Sequence, residues 1–253
     1  MSLDARVAVV TGGARGIGRA IAARLAAGGA RVVVTARDLA AAEAAAAAVG
    51  GHGYALDVRD RAAVASFAAA VPVDVGPVDV LVANAGVAES APLAKTDDAA
   101  WDEAMAVNAT APFLLCRAFV PAMQQRRRGR VVVVASNAGL TGYAYTSAYC
   151  ASKHAVVGLV RALAIEVARS GVTVNAVCPG FVDTDMTRHA VARIAATTKR
   201  TEDEARAALE AMSPQRRLVR ADEVASLVAT LCADESGAIN GQAIPLDGGQ
   251  VMK

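Results

Sequence analysis

Tyr149 and Lys153 stand four residues apart at the head of an Ala- and Val-rich run, Tyr149-Cys150-Ala151-Ser152-Lys153. On a helix that spacing puts both side chains on one face, with about 5–6 Å between their Cβ atoms. A phenol beside an ammonium is a poised acid: a fixed positive charge stabilises the phenolate and is expected to lower a pKa that is about 10 in a free tyrosine. Ser136 ends the apolar run Val131-Val132-Val133-Val134-Ala135, which reads as a buried strand. Its hydroxyl is therefore expected at a strand's carboxyl end, where open α/β sheets bind ligands. A lone Tyr-x-x-x-Lys is common on helix surfaces, so the weight of this reading rests on the elements that would position the pair.

The chain has 253 residues and is 55% hydrophobic, enough for one large core, and an α/β domain without linkers or repeats accounts for all of it. A net charge of +2 with dispersed Lys and Arg gives no electrostatic footprint for nucleic acid. The compact basic run Arg126-Arg127-Arg128-Gly129-Arg130 closes a predicted helix, where cations oppose the negative end of the dipole. Cys116, Cys150, Cys178 and Cys232 lack metal-ligand spacing, so no metal is expected and the thiols read as reduced and packed. No apolar segment reads as a membrane span, and a strand pattern begins within a few residues of Met1, so the expectation is a cytoplasmic protein without a membrane partner.

In chain order, Arg6 to Thr11 is a β-rich run that meets Gly12-Gly13-Ala14-Arg15-Gly16-Ile17-Gly18, after which a helical pattern starts. Glycines in such a turn let backbone N–H groups approach a pyrophosphate at the helix N-terminus. The spacing is Gly-x-x-x-Gly-x-Gly, not Gly-x-Gly-x-x-Gly. The second strand, residues 31–36, is followed by Arg37, which would accept a ribose 2′-phosphate and so select NADP(H); Arg15 is a second cation nearby. Asp38 could instead take a ribose hydroxyl and select NAD(H), although an Asp before an Ala-rich helix is a good N-cap.

Further strands are predicted at 54–58, 78–83, 131–135, 172–177 and 242–246, alternating with helices. That pattern predicts a single Rossmann-type, doubly wound parallel sheet of about seven strands with helices on both faces. Asn84-Ala85-Gly86 ends the fourth strand. The helical stretch 97–128 is expected to break near Asn108, through Pro112. An Asn there could hold a water or be only an irregular-turn residue. Residues 184–218 turn polar and charged, with helical pieces such as 202–212, and read as a substrate lid.

Taken in order, Thr11 through Gly18, Asn84-Ala85-Gly86, Asn108, Ser136, Tyr149-x-x-x-Lys153 and Pro179-Gly180 resemble the short-chain dehydrogenase/reductase family across essentially the whole chain. The likeness is greatest to β-ketoacyl thioester reductases and polyketide ketoreductases, through Ala151 to Ala155 and Val174 to Val182. The resemblance implies that Tyr149 protonates the carbonyl oxygen, that Lys153 lowers its pKa and binds the nicotinamide ribose, that Ser136 bonds the substrate oxygen, and that Asn108 holds a water. It also implies Gly12, Arg15, Gly16, Ile17 and Gly18 around the pyrophosphate and adenosine, Arg37 on the 2′-phosphate, and Asp57 and Val58 at the adenine. Asn84, Ala85 and Gly86 would lie by the adenosine ribose, and Pro179, Gly180, Val182 and Thr184 by the carboxamide and phosphate. Ala83 and Val133 depart from the family's usual Asn, and the lid is longer than in compact acyl-carrier reductases.

The leading expectation is an NADP-dependent reductase of a 3-oxoacyl thioester, on CoA or an acyl carrier protein, or of a polyketide. The alternatives are an NAD-dependent dehydrogenase of a secondary alcohol or 3-hydroxyacyl-CoA, and a non-catalytic dinucleotide sensor. Arg126 to Arg128 and Arg169 are expected to attract the phosphates of CoA or an acidic carrier. The resemblance also implies a homotetramer built on the helices that include Ala118 and Leu159.

Overall fold

Unalternating valine runs are the pattern of strands buried on both faces, and the structure uses them that way. In the computed structural model, which describes residues 2–252, seven strands form one parallel sheet. They are β1 (Val7–Thr11), β2 (Arg31–Ala36), β3 (His52–Ala55), β4 (Val78–Ala83), β5 (Gly129–Val134), β6 (Val172–Pro179) and β7 (Ala243–Leu246), in the order β3-β2-β1-β4-β5-β6-β7. Alternate residues of each strand feed two cores. Val7, Val9, Leu81 and Val131 face Phe67 on α3 (Arg61–Asp74), Leu115 on α5 (Ala111–Gln125) and Val156 on α6 (Ser147–Val167). Ala8, Val10, Val80 and Val132 face Ile21 and Leu25 on α1 (Gly16–Ala27) and Val228 on α9 (Ala221–Cys232). The strand order reverses at β1, between β2 and β4, which opens a crevice at the carboxyl ends of the strands.

Several elements differ from the sequence-based expectation. The third strand covers residues 52–55 instead of 54–58, because its only partner, β2, ends at Ala36 opposite Ala55. Beyond that pair one further bond remains, from Leu56 N–H to the Ala36 carbonyl (2.7 Å), so Asp57 and Val58 lie past the strand. The break near Asn108 falls where the sequence places it: Pro112 sits two residues past it inside one continuous helical run, and its missing N–H leaves a carbonyl of the preceding turn without its helical partner. The irregularity is a π-turn over Ala106–Thr110, joining α4 (Asp98–Met105) to α5.

The resulting helical run, Asp98–Gln125, has 28 residues and is long and apolar enough by length and composition to cross a membrane, contrary to the expectation that no segment would be. Its apolar side chains are those of a sheet-facing helix: Leu114, Leu115, Phe119 and Met123 are all buried in the core. The basic run also divides differently. Arg126 caps α5 and donates to the Val78 carbonyl (2.5 Å), whereas Arg130 is buried within β5, beside Arg6, and both pair with Asp234. The four cysteines are free, and all but Cys150 are buried.

Residues 184–218 fold as two helices, α7 (Asp185–Thr197) and α8 (Glu202–Glu210), of which the first had no clear sequence pattern. They share a small core of Val191, Ala205, Leu209 and Leu218, with Phe181 and Ile194 against it. The second is shorter than the expected 202–212 and begins with a reciprocal cap between Thr201 and Glu204.

Candidate active site

The glycine turn owes its shape to close approach. Gly12 and Gly16 have φ of +63° and +52°, the left-handed region where a side chain is strained. A Cβ on Gly18 would lie 2.3 Å from the Gly12 carbonyl oxygen and 2.5 Å from Asn84 Nδ2, so the turn, α1 and the end of β4 pack backbone to backbone. Asn84 fastens them: its Nδ2 donates to the carbonyls of Thr11 (2.9 Å) and Gly12 (3.2 Å). Thr11 Oγ1 in turn accepts from the N–H groups of Asn84 (3.1 Å) and Ala85 (3.2 Å).

At the N-terminus of α1 no side chain caps the helix and no acidic residue stands in the first turn, so the N–H donors and the positive dipole end remain for an anion. Thr184 reaches this turn, its Cγ2 3.4 Å from where a Gly16 Cβ would be. Val182, bridged to Val219, holds the approach, and its carbonyl accepts from Thr184 Oγ1 and Thr187 Oγ1. Arg15 precedes α1 and is exposed, and Ile17 packs on the second core. An uncapped, glycine-lined helix start beside a Thr suits a dinucleotide's pyrophosphate.

Beyond β2, Arg37 is exposed at the strand end, and Asp38 caps α2 (Leu39–Ala47), accepting from Ala40 N–H (3.1 Å). Asp57 lies nearby, its carboxyl held down to about 2 mainly by hydrogen bonds from Arg59, with Arg37 adding to the effect. Arg59 also reaches Glu103 (3.0 Å). Val58 is buried beside them.

Across the crevice, Ser136 stands just past β5 with extended backbone and its Oγ accepts from Ala138 N–H (3.1 Å), starting a short turn. A Cβ on Gly139 in that turn would meet the Lys153 carbonyl at 2.6 Å, so the turn lies flat on α6, where Tyr149 and Lys153 share a face. Lys153 Nζ is 5.8 Å from the Tyr149 ring centre and donates to the Val134 carbonyl (3.0 Å). Asn108 completes the group from the π-turn. Its Oδ1 accepts from Val87 N–H (3.0 Å), and its Nδ2 donates to the Val87 carbonyl (2.9 Å) and to Ser152 Oγ (3.0 Å). Ser152 Oγ in turn donates to the Tyr149 carbonyl (2.8 Å). Gly86 leaves the gap between Asn108 Oδ1 and Lys153 Nζ, at 3.2 and 3.7 Å from where its Cβ would be.

The electrostatics correct one expectation. Tyr149 is not made acidic in this state: burial pushes its pKa up, and the Ser136 hydroxyl beside it only partly offsets that. Lys153 is itself desolvated, its pKa lowered to about 8, and its ammonium is turned to a backbone carbonyl.

Pro179 ends β6, and Gly180 follows with no room for a side chain, its Cβ position lying 2.9 Å from Asp247 Cβ. Asn137, next to Ser136, donates to Asp247 Oδ2 (3.3 Å) and Gln250 Oε1 (3.1 Å), and Asp247 accepts from the N–H groups of Gly249, Gln250 and Val251.

The model of the short chain dehydrogenase family matches residues 6–195. This chain belongs to the short-chain dehydrogenase/reductase family. Among family members it is similar to the 3-oxoacyl-(acyl-carrier-protein) reductase FabG of Salmonella typhimurium, 38% identical over 254 aligned positions and 100% of both chains. A ketoacyl reductase of the granaticin polyketide synthase of Streptomyces violaceoruber is 39% identical, covering 96% of this chain and 92% of the other. Among solved structures, a variant of the actinorhodin polyketide ketoreductase with NADPH superposes with a TM-score of 0.94 at 37% identity, over 99% of both chains.

Thr11 and Ser152 stood in the motifs quoted above without a role, and Arg59 was not singled out; the bonds of Thr11 to Asn84 and Ala85 and of Ser152 to Asn108 are long-range and leave no mark in local spacing. Asp57-x-Arg59 alone, a charged pair two residues apart, was visible in the sequence.

Proposed function

We propose that this protein reduces the 3-oxo group of an acyl thioester or polyketide with NADPH. The observation that supports the reading is that Ser136 and Lys153 both stand by Tyr149, and Lys153 Nζ lies beside Gly86, two residues from the Asn84 that is bonded to the glycine turn. Full-length similarity to FabG and to polyketide ketoreductases supports the substrate class.

NADPH, when bound, supplies the hydride that adds to the carbonyl carbon. The chain supplies the proton and the geometry. Tyr149 Oη, kept protonated by its surroundings, gives its proton to the carbonyl oxygen, so that negative charge there is not left unpaired. The Ser136 hydroxyl donates to the same oxygen and fixes its position. Lys153 binds the nicotinamide ribose and, once turned from the Val134 carbonyl, stabilises the phenolate that remains. Asn108 holds α6 to the 84–87 loop through Ser152 and Val87, and the backbone carbonyl loosened by the π-turn holds the water that refills the proton. Gly12, Arg15, Gly16, Ile17 and Gly18 take the pyrophosphate side, Asp57 and Val58 the adenine, Asn84 to Gly86 the adenosine ribose, and Pro179, Gly180, Val182 and Thr184 the carboxamide and phosphate. The two helices of residues 184–218 form the lid.

Arg37 selects the 2′-phosphate, because Asp38 is spent as an N-cap. Initial rates on acetoacetyl-CoA are expected to favour NADPH over NADH. Arg37→Ala should lower kcat/KM for NADPH by about 10- to 100-fold, the worth of a charged hydrogen bond, and leave NADH within about threefold. A preference for NADH in the native protein would overturn the selection, and turnover with neither would point to a non-catalytic dinucleotide-binding protein.

The pH dependence follows from the two site groups. Reduction needs a protonated Tyr149 and a charged Lys153, and the lysine, at about 8, is the first to change. The expected kcat/KM is level in neutral buffer and falls as pH rises through about 8, read from initial rates at saturating NADPH. A rate that climbs through that range would contradict the assignment.

Arg128 and Arg169 precede β5 and β6 and so stand at the amino ends of the strands, away from the crevice, where they would not meet the phosphates of a carrier or CoA bound at the site. A homotetramer is supported by exposed Phe113 on α5 and Ile165 on α6, and the cytoplasm is the expected compartment.

A further inference from the structure

A cavity of about 260 Å³ opens beside Tyr149, small against the roughly 300–1,000 Å³ common for ligand pockets. Its apolar surface comes from four alanines, Ala91, Ala100, Ala104 and Ala148, and from the rings of Tyr145 and Tyr149 at its edge. Among the described residues no Leu, Ile, Val, Phe or Met side chain lines it. The rest is polar: Ser90, Thr96, Thr146 and Ser147 contribute hydroxyls, and Lys95 and Arg193 bring cations.

That wall is held in place. Arg193 on α7 donates to the Ser90 carbonyl (3.2 Å) and pairs with Glu89 (3.7 Å), tying the lid helix to the loop after β4. Ala91 N–H donates to the carbonyl of Tyr145 (2.8 Å), whose φ of +67° fixes the facing loop. Asp97 is occupied as the N-cap of α4, and the Lys95 ammonium has no ion-pair partner among the described residues.

Burial of a methylene against apolar atoms is worth about fourfold in an equilibrium constant. Against hydroxyls and charged groups that gain disappears, because water is stripped from polar atoms and nothing replaces it. An oxygen on the chain, by contrast, finds donors in the Ser90 and Ser147 hydroxyls and the Lys95 ammonium, whereas Thr96, Thr146 and Arg193 are committed to backbone carbonyls, and one added hydrogen bond is worth about two- to tenfold. We propose that this protein takes short 3-oxoacyl thioesters whose acyl chain carries further oxygen, in preference to long saturated chains. The proposal rests on the reading above that Tyr149 protonates the 3-oxo oxygen, since that contact places the acyl chain in this cavity.

The test compares kcat/KM with NADPH for three CoA thioesters: 3-oxohexanoyl, 5-hydroxy-3-oxohexanoyl and 3-oxododecanoyl. The hydroxylated substrate is expected to exceed 3-oxohexanoyl by about two- to tenfold, and 3-oxododecanoyl to gain nothing from its six extra methylenes. A tenfold or greater rise with chain length would overturn the proposal while leaving the ketoreductase reading intact. Reduction of none of the three would overturn that reading, and this one with it. In the double variant Ser90→Leu, Thr96→Leu the ratio of 3-oxododecanoyl to 3-oxohexanoyl should rise at least about fourfold. An unchanged ratio in a folded variant would overturn the placement of the acyl chain here.

Discussion

Tyr149→Phe is expected to lower kcat for carbonyl reduction by about 10²- to 10⁴-fold, the usual worth of a positioned general acid. The substitution deletes one hydroxyl and little volume, and α6 keeps its packing through Val156, Val157 and Val160. The Kd for NADPH, followed by nucleotide fluorescence, should move by no more than about fivefold, the value of one neutral hydrogen bond. The two readouts separate the possibilities. Loss of turnover with binding kept assigns the proton to this phenol, whereas loss of both would mean that the ring builds the nucleotide site instead. Retention of turnover would sink the mechanism, because Ser136 and Lys153 would then have to supply the proton between them.

The second large effect is expected at Gly18. Alanine there would place a methyl 2.3 Å from the Gly12 carbonyl oxygen, and since the obstacle is backbone, the turn itself must move. The donors that face the pyrophosphate move with it. KM for NADPH should rise by at least about tenfold, because positioned backbone amides lose most of their value when displaced. The melting temperature should fall by roughly 3–10 °C, as for an overpacked site in a chain of this size. An unchanged KM with a lowered melting temperature would show that the turn packs the fold without holding the nucleotide.

How far the molecule could be read from its sequence depended on where each signal is local. Strands at 31–36 and 78–83 were legible to the residue, because both faces of an inner parallel strand are buried and their apolar runs are broken only at Thr35 and Asp79. The third strand slipped by two residues because its ends are set by β2, and its own residues, His52 and Gly53, carry no apolar pattern. The helix α7 was invisible for a similar reason: its core is only a few residues, contributed partly by α8 and Leu218. The interruption near Asn108 was legible through Pro112, but its form as a π-turn was not, since an extra residue in a turn leaves no mark in the sequence. Within the site, spacing placed Tyr149 and Lys153 on one face but could not convey their solvation, and burial reversed the expected direction of the tyrosine's pKa.

Through Asp247 and Gln250, Asn137 links the neighbourhood of Ser136 to the last residues described. A change that displaces Gln250 or Asp247 would therefore loosen the turn that carries the Ser136 hydroxyl, without touching Tyr149 or Lys153.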